Sequence, residues 1–296
     1  MRPLKIVVLA KQVPDTRHVG ADAMKSDGTV NRSKLSTIFN PDDLHALELA
    51  LNIKDRVEGT EVIVLTMGPK RAADIIREGY YRGADNGIMI SDMRFGGADT
   101  LATSYTLVKG IQKLAPFDLI LGGRQAIDGD TAQVGPQCAD KLKIPQITYV
   151  EEILEIKEDE IVVRRRLEKG VETVSSPFPC LMTVHGSSPA CRSRHAKKIM
   201  KYKYARTKTE LKSKNTDDVL RSLHEKRPFL TIPEWNVEDI DADLDKIGLS
   251  GSPTKVKSVE SIVLTAKEAK ILSGADADIE MMIKELIEQH TIGYSV

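Results

Sequence analysis

Leu119–Pro136 reads LILGGRQAIDGDTAQVGP. With Asp118 before it, the opening apolar run suits a strand buried on both faces. Gly122 and Gly123 end that strand. A polar loop follows, and Gly129 turns it into Asp130-Thr131, where Asp130 is placed to cap a helix running to about Leu142. In an open α/β sheet, ligands bind beyond the carboxyl ends of the strands. Glycines let a ligand approach the backbone, and a helix N-terminus offers unpaired N–H groups to phosphate. Thr131 adds a hydroxyl and Gln133 an amide. The stretch points to an anionic ligand of nucleotide type, although an ordinary strand-to-helix turn with good caps would look the same.

Working outward, the same alternation of strand and helix covers residues 1–145. Ile6–Ala10 is a short β-branched run. Asn40-Pro41-Asp42-Asp43 opens a helix, with Asn40 as cap, Pro41 at the first position and acids in the first turn. Leu44, Leu47 and Leu51 carry that helix to about Arg56. Glu61–Met67 (EVIVLTM) is a second buried strand, followed by a helix marked by Ala72, Ile75, Ile76 and Tyr80. Gly87–Ser91 is a third strand. Asp99 caps a helix with Leu101, Tyr105, Val108 and Ile111 on one side. The pattern predicts a Rossmann-like α/β fold with a mostly parallel sheet and helices on both faces. Glu160–Arg166, Val171–Ser175 and Cys180–Val184 read as an antiparallel β addition. Ser261–Thr265 reads as one more strand, and Asp278–His290 as a final helix.

The loops at the carboxyl ends of these strands are Ala10–Asp15, Asn40–Asp43 and Thr66–Gly68. Together with Gly123–Val134 they form one edge able to hold an adenosine moiety. There is no GxxxxGK[ST], and Gly122-Gly123 does not extend to GxGxxG, so an ordinary P-loop or dinucleotide fingerprint is disfavoured. No GxSxG elbow occurs, and the six histidines are scattered with no telling spacing. An adenylating or regulatory nucleotide-binding domain is the alternative from another class. It would bind ATP as a monomer.

The 296 residues allow one large domain or about two ordinary ones. Lys plus Arg and Asp plus Glu are both 43, which argues against a general nucleic-acid or anionic-membrane binder. Hydrophobic residues at 41% suffice for a core, and aromatics at 4% disfavour a platform for single-stranded nucleic acid. Cys138, Cys180 and Cys191 are widely spaced, which disfavours a disulfide scaffold, an iron–sulfur cluster or structural zinc. The expected setting is a reducing cytoplasm. MRPLKIVVLAK at the N-terminus does not read as a signal peptide, and no apolar stretch is long enough for membrane insertion. The balanced charge hides two opposed segments. Residues 187–208 are basic, and residues 234–245 are acidic.

These segments together resemble the β subunit of electron transfer flavoprotein, in its electron-bifurcating form. AKQVPDT (Ala10–Thr16), Asn40-Pro41, MGP (Met67–Pro69), GRQAIDGDTAQVGP (Gly123–Pro136) and GLSGSPTKV (Gly248–Val256) carry the resemblance in order. It implies a heterodimer with an α subunit that holds its own FAD. It implies a nucleotide site here lined by Leu9, Ala10, Asn40, Pro41, Asp42, Asp43, Thr66, Met67, Gly123, Arg124, Gln125, Ala126, Ile127, Asp128, Gly129, Asp130, Thr131, Ala132, Gln133 and Val134. RFGGADTLATS (Arg94–Ser104) is similar to a segment of bifurcating members. There Asp99, Thr100 and Thr103 would meet a ribityl chain or flavin edge, so FAD is expected, with AMP as the alternative. The resemblance also implies NADH as electron donor, an acyl-CoA dehydrogenase-type partner, and ferredoxin or flavodoxin as second acceptor. A partner-recognition loop falls in the basic run, with His195, Ile199 and Met200 as candidate anchors. The expected organisation is a nucleotide-binding domain over 1–208, an acidic connecting segment over 209–247, and an arm over 248–296 that packs on the α subunit.

Overall fold

The computed structural model describes residues 2–15, 35–213, 217–254, 270–289 and 291–292. The strand expected at Ser261–Thr265 lies outside the described residues, as do Thr16, Val256 and His290. The chain runs β1 (Lys5–Leu9), β2 (Gln12–Pro14), β3 (Thr37–Phe39), α1 (Pro41–Arg56), β4 (Glu61–Met67), α2 (Ala73–Arg82), β5 (Asn86–Ile90), α3 (Thr100–Lys113), β6 (Leu119–Gly123) and α4 (Val134–Leu142). It continues through β7 (Gln146–Ile156), β8 (Glu160–Leu167), β9 (Gly170–Pro177), β10 (Cys180–Val184), α5 (Ala196–Tyr202), β11 (Arg206–Thr207), α6 (Lys208–Leu211), α7 (Asp218–Lys226), β12 (Thr231–Ile232), β13 (Glu234–Trp235) and α8 (Asp276–Glu288).

One nine-stranded sheet organises these elements, in the order β13-β5-β4-β1-β6-β10-β7-β8-β9. It is parallel from β13 to β7 and antiparallel through β7-β8-β9. Residues of the central strands alternate between two cores. Ile6, Val8, Val62, Val64, Leu119 and Leu121 pack with Leu47 and Leu51 of α1. Val7, Leu9, Ile63, Leu65 and Ile120 pack with Val108 and Ile111 of α3 and Cys138 of α4. Both faces are covered, which is why these strands read as unbroken apolar runs rather than alternating ones. A third cluster joins Ile76 and Tyr80 of α2 to Tyr202, Leu230 and Ile232.

Two expectations about strands are corrected. Cys180–Val184 does not belong to the antiparallel addition. β10 is parallel to both neighbours and lies between β6 and β7, with all five residues buried. Its compact apolar run is the mark of a two-sided interior strand. The antiparallel addition instead uses β7, an 11-residue strand not expected from the sequence. Its signal is weak because glutamates interrupt it and its register shifts twice against β8. Tyr149, with φ +60°, kinks it further.

The acidic segment also has a place in the sheet. Glu234 and Trp235 pair with Met89 and Ile90 at its edge. Val237, Ile240 and Ile247 are buried in the second core.

The strand order reverses at β1. The path β1-α1-β4-α2-β5 builds one side, and α3 carries the chain to β6 on the other. The carboxyl ends of β1 and β6 therefore meet at a topological switch point, where such sheets bind ligands.

Candidate nucleotide cleft

Leu9 and Gly122 are register partners at that switch point. The next residue, Gly123, approaches the start of α1 so closely that an added Cβ would lie 2.5 Å from the Asp42 carbonyl carbon and from Asp43 Oδ1. Glycine is required there by space rather than by dihedral angle. The contact has a purpose, because Asp43 accepts hydrogen bonds from the Gly123 amide (3.0 Å) and the Lys11 amide (2.8 Å). One carboxylate at the N-terminus of α1 thus ties together the ends of β1 and β6. Burial pushes the Asp43 carboxyl up to about 7, against the pull of those amides and of the Asn40 side chain.

Asn40 does not cap α1 with its side chain. Its Nδ2 donates to Gln125 O (2.8 Å) and its Oδ1 accepts from Ile127 N (3.2 Å). The side chain fixes the loop after β6 instead. Lys11 adds a second tie to the loop, donating to both oxygens of Asp128 at 2.7 and 2.8 Å.

The loop itself departs from expectation. The helix begins at Val134, not at Asp130-Thr131. The Gly129 and Asp130 amides close a turn on Ala126 O, and Asp130 Oδ1 accepts from Gln125 Nε2 at 2.8 Å. Asp130 (φ +50°) and Ala132 (φ +52°) both lie in the left-handed region. For residues with a Cβ this costs on the order of 1–2 kcal/mol each. Such strain concentrates at ligand clamps. α4 then offers its first unpaired N–H groups, less the one that Pro136 lacks.

These elements enclose a cleft of about 400 Å³, within the usual range for small-molecule sites. Leu9, Ala10, Asp43, Met67, Asp99, Thr100, Thr103, Gly123, Arg124, Gln125, Ala126, Gly129, Asp130, Thr131, Ala132, Gln133 and Val134 all line it. Asn40, Pro41, Asp42, Thr66, Ile127 and Asp128 do not appear on its wall. Asp42 stands 3.7 Å from Arg124 Nε, and Thr66 is fully buried with no hydrogen-bond partner for its hydroxyl. Lys11, Phe95, Gly97, Ala98, Leu107, Gly122 and Gly135 line the cleft without having been expected. Lys11 and Gly97 lie inside stretches already singled out. Leu107 falls one helical turn after Thr103, so helical spacing could have found it. Phe95 and Ala98 lie with Gly97 in the Arg94–Ser104 segment, and Gly122 and Gly135 in the Leu119–Pro136 stretch.

The far wall is the start of α3. Asp99 caps it, accepting from the Leu101 and Ala102 amides. Thr100 Oγ1 donates to Gln133 Oε1 at 2.8 Å, and Ser104 Oγ to Gln137 Oε1 at 2.9 Å, so α3 and α4 are joined beside the cleft. The Leu9–Met67 end and this wall form one continuous space. Arg124 supplies positive charge; it faces Asp42 as an ion pair, while its Nε makes no hydrogen bond. The glycines, the Arg124 guanidinium and the α4 N-terminus suit a phosphate-bearing group. Phe95, Leu107 and Met67 suit an apolar ring.

The residues expected to recognise a partner lie elsewhere. The basic segment holds a short helix, α5, rather than a loop throughout. Tyr202 anchors it, buried and stacked on Tyr80 with centroids 4.6 Å apart. Met200 is 64% exposed, His195 is exposed and Ile199 is half-buried. Arg192 and Arg194 pair with Glu48 and Glu78 of the domain body, leaving lysines to set the outward charge.

The fold and cleft define a Rossmann-like α/β architecture with its cleft at the switch point. Residues 27–210, more than half of the chain, match the family model described as electron transfer flavoprotein domain. The chain is 44% identical over 253 residues to the caffeyl-CoA reductase–Etf complex subunit CarD of Acetobacterium woodii, with 86% of each chain covered. It is 39% identical to the electron transfer flavoprotein subunit beta of Clostridium acetobutylicum, covering 98% of this chain and 100% of that one. It is 40% identical to the acryloyl-CoA reductase electron transfer subunit gamma of Anaerotignum propionicum, with the same coverage. The chain belongs to the electron transfer flavoprotein family, on its β-subunit side. No helix among the described residues is long and apolar enough to cross a membrane.

Proposed function

We propose that this chain is the β subunit of an electron-bifurcating electron transfer flavoprotein, with FAD in the cleft and NADH as electron donor. One electron passes toward the α-subunit FAD and an acyl-CoA dehydrogenase-type partner, the other toward ferredoxin or flavodoxin. When bound, FAD supplies the redox chemistry, accepting a hydride and releasing single electrons. The observation that carries the reading is the continuity of the cleft from the Leu9–Met67 end to the α3 wall at Phe95, Thr100, Thr103 and Leu107. AMP would leave that wall without a ligand. The names of the Acetobacterium and Anaerotignum relatives, which place them with CoA-ester reductases, support the same reading.

The protein's own part is to bind, orient and charge-balance. Asp43 fixes the ends of β1 and β6, Asn40 and Lys11 hold the loop, and Arg124 with the α4 N-terminus faces the phosphates. Thr103 and the apolar wall orient the ring end. Association with an α subunit is supported by α8, where Ile279, Met281, Met282, Ile283 and Ile287 are all exposed. Apolar exposure on this scale marks an interaction surface. Met200 in its lysine-rich surroundings is the proposed contact for the dehydrogenase partner.

The test is anaerobic titration of the purified heterodimer with NADH. Bleaching of the flavin absorbance at stoichiometric NADH is expected. A flavin that stays oxidised in excess NADH would refute the proposal.

A further inference from the structure

We infer that Thr254 is a positioning residue for the cleft, and that through Asp99 it couples the C-terminal segment to the grip on the nucleotide. This rests on the reading above, in which the cleft holds a nucleotide and the chain pairs with an α subunit.

The argument begins with the lone pairs of Asp99. Oδ1 accepts from the Leu101 and Ala102 amides at 2.9 and 3.0 Å. Oδ2 accepts from the Thr254 hydroxyl at 2.7 Å and the Thr254 amide at 3.2 Å. A carboxylate offers about four acceptor sites, and four donors occupy them. The Asp99 amide donates to Ser252 Oγ at 2.8 Å, and that hydroxyl donates to Gly248 O at 2.6 Å. Asp99 therefore lines the cleft with its acceptors already engaged. Its influence on a ligand is through where it holds α3.

Two close approaches make the contact stiff. Gly97 has φ +73°, and a Cβ there would lie 2.6 Å from Leu249 Cγ. Gly248 has φ +52°, and a Cβ there would lie 2.0 Å from Arg94 O. Arg94 in turn pairs with Asp92 and Glu238 at 2.6 Å each. The cleft wall from Asp92 to Thr103 is thus clasped from outside by residues Glu238 to Thr254. From Thr254 the chain continues toward α8. Any change in how the C-terminal segment seats reaches Asp99 through Thr254, and Asp99 sets the start of the helix that carries Thr100, Thr103 and Leu107. Coupling of this kind is reciprocal, so a bound nucleotide must tighten subunit association by the factor that association tightens the nucleotide.

The experiment measures FAD affinity for the chain alone and for the heterodimer, and takes the ratio. Thr254→Val removes the hydroxyl at nearly constant shape, and Thr254→Ser restores it. The wild type and T254S are expected to share a ratio well above one. In T254V the ratio falls toward one, with FAD held about tenfold more weakly in the heterodimer, the effect of one charge-assisted hydrogen bond. A variant that merely loosened the fold would lower both affinities and leave the ratio unchanged, and that result overturns the inference. Should T254V fail to fold, Ser252→Ala removes the acceptor of the Asp99 amide and serves the same comparison. If the wild type takes AMP and no FAD, the functional reading fails, and the same ratio measured with AMP still decides the role of Thr254.

Discussion

Gly123→Ala is the substitution whose consequence the structure sets most sharply. The added Cβ would lie 2.5 Å from two atoms of α1 and 2.6 Å from a third, the Asp43 amide nitrogen. Ordinary contact begins near 3.4 Å, so the N-terminus of α1 must withdraw by about 0.9 Å, an overpacking cost of roughly 1–3 kcal/mol. That movement stretches the Asp43 hydrogen bonds to the Gly123 and Lys11 amides, now 3.0 and 2.8 Å. A hydrogen bond is worth about 0.5–1.5 kcal/mol to a neutral group and about 1.5–3 kcal/mol to a charged one, and Asp43, pushed up to about 7, stands between the two near neutral pH. Partial loss of one, added to the overpacking, gives a destabilisation of about 3 kcal/mol. Urea unfolding followed by the fluorescence of Trp235 measures it, and nucleotide content after purification reports the cleft. Gly129→Ala is the control, because nothing lies within 4 Å of its added Cβ. It is expected within about 0.5 kcal/mol of wild type. A G123A protein within that same range, carrying its full nucleotide, would refute the argument that Gly123 is fixed by the approach of α1.

Four further outcomes follow from particular contacts. Asn40→Ala removes both bonds that hold the loop at Gln125 and Ile127, and nucleotide dissociation should quicken about tenfold in a stopped-flow displacement assay. The hydrogen bond from Arg94 holds Asp92 down to about 2, and Arg94 likewise lowers Glu238. A depressed carboxylate contributes stability above its unfolded value and loses it as pH falls through the folded one. The clasp beside Trp235 should therefore weaken between about pH 4 and pH 2, with Trp235 fluorescence changing over that interval and not between pH 5 and pH 7. Burial pushes Cys138 up to about 12, and Cys180 and Cys191 up to about 11, so a disulfide reagent at pH 8 should label them only after unfolding. Met200→Ala should raise the KM for the dehydrogenase partner several-fold while flavin content stays constant. An unchanged KM removes Met200 from the partner contact.

What could be read from the sequence follows from where the information is local. Glu61–Met67 and Pro41–Arg56 have the boundaries that their apolar runs and helix-start residues indicate. Both depend on short-range chemistry that the chain carries in one place. The parallel sheet follows from their alternation. β10 shows the limit, since a buried apolar run does not reveal which neighbours it pairs with. It leaves the chain next to β9 yet inserts between β6 and β7.

The site divides in the same way. Gly123–Gln133 is legible as the loop that walls the cleft because its glycines and polar groups are contiguous. Its detailed role assignment is not. Asp130 looks like a cap, but its carboxylate is taken by Gln125, and Asn40 looks like a cap but reaches across the cleft base to the same loop. Those partners are distant in sequence or stand in an unusual backbone conformation, and no local pattern encodes them. Asp99 caps α3 as its place before Thr100 indicates, yet its second oxygen goes to Thr254, 155 residues away.

The central claim is that the cleft holds a flavin. It is tested most directly by co-expressing the chain with its α subunit, releasing the bound nucleotides by denaturation and counting them by chromatography. The account predicts two FAD and no AMP per heterodimer. One FAD and one AMP per heterodimer would contradict it.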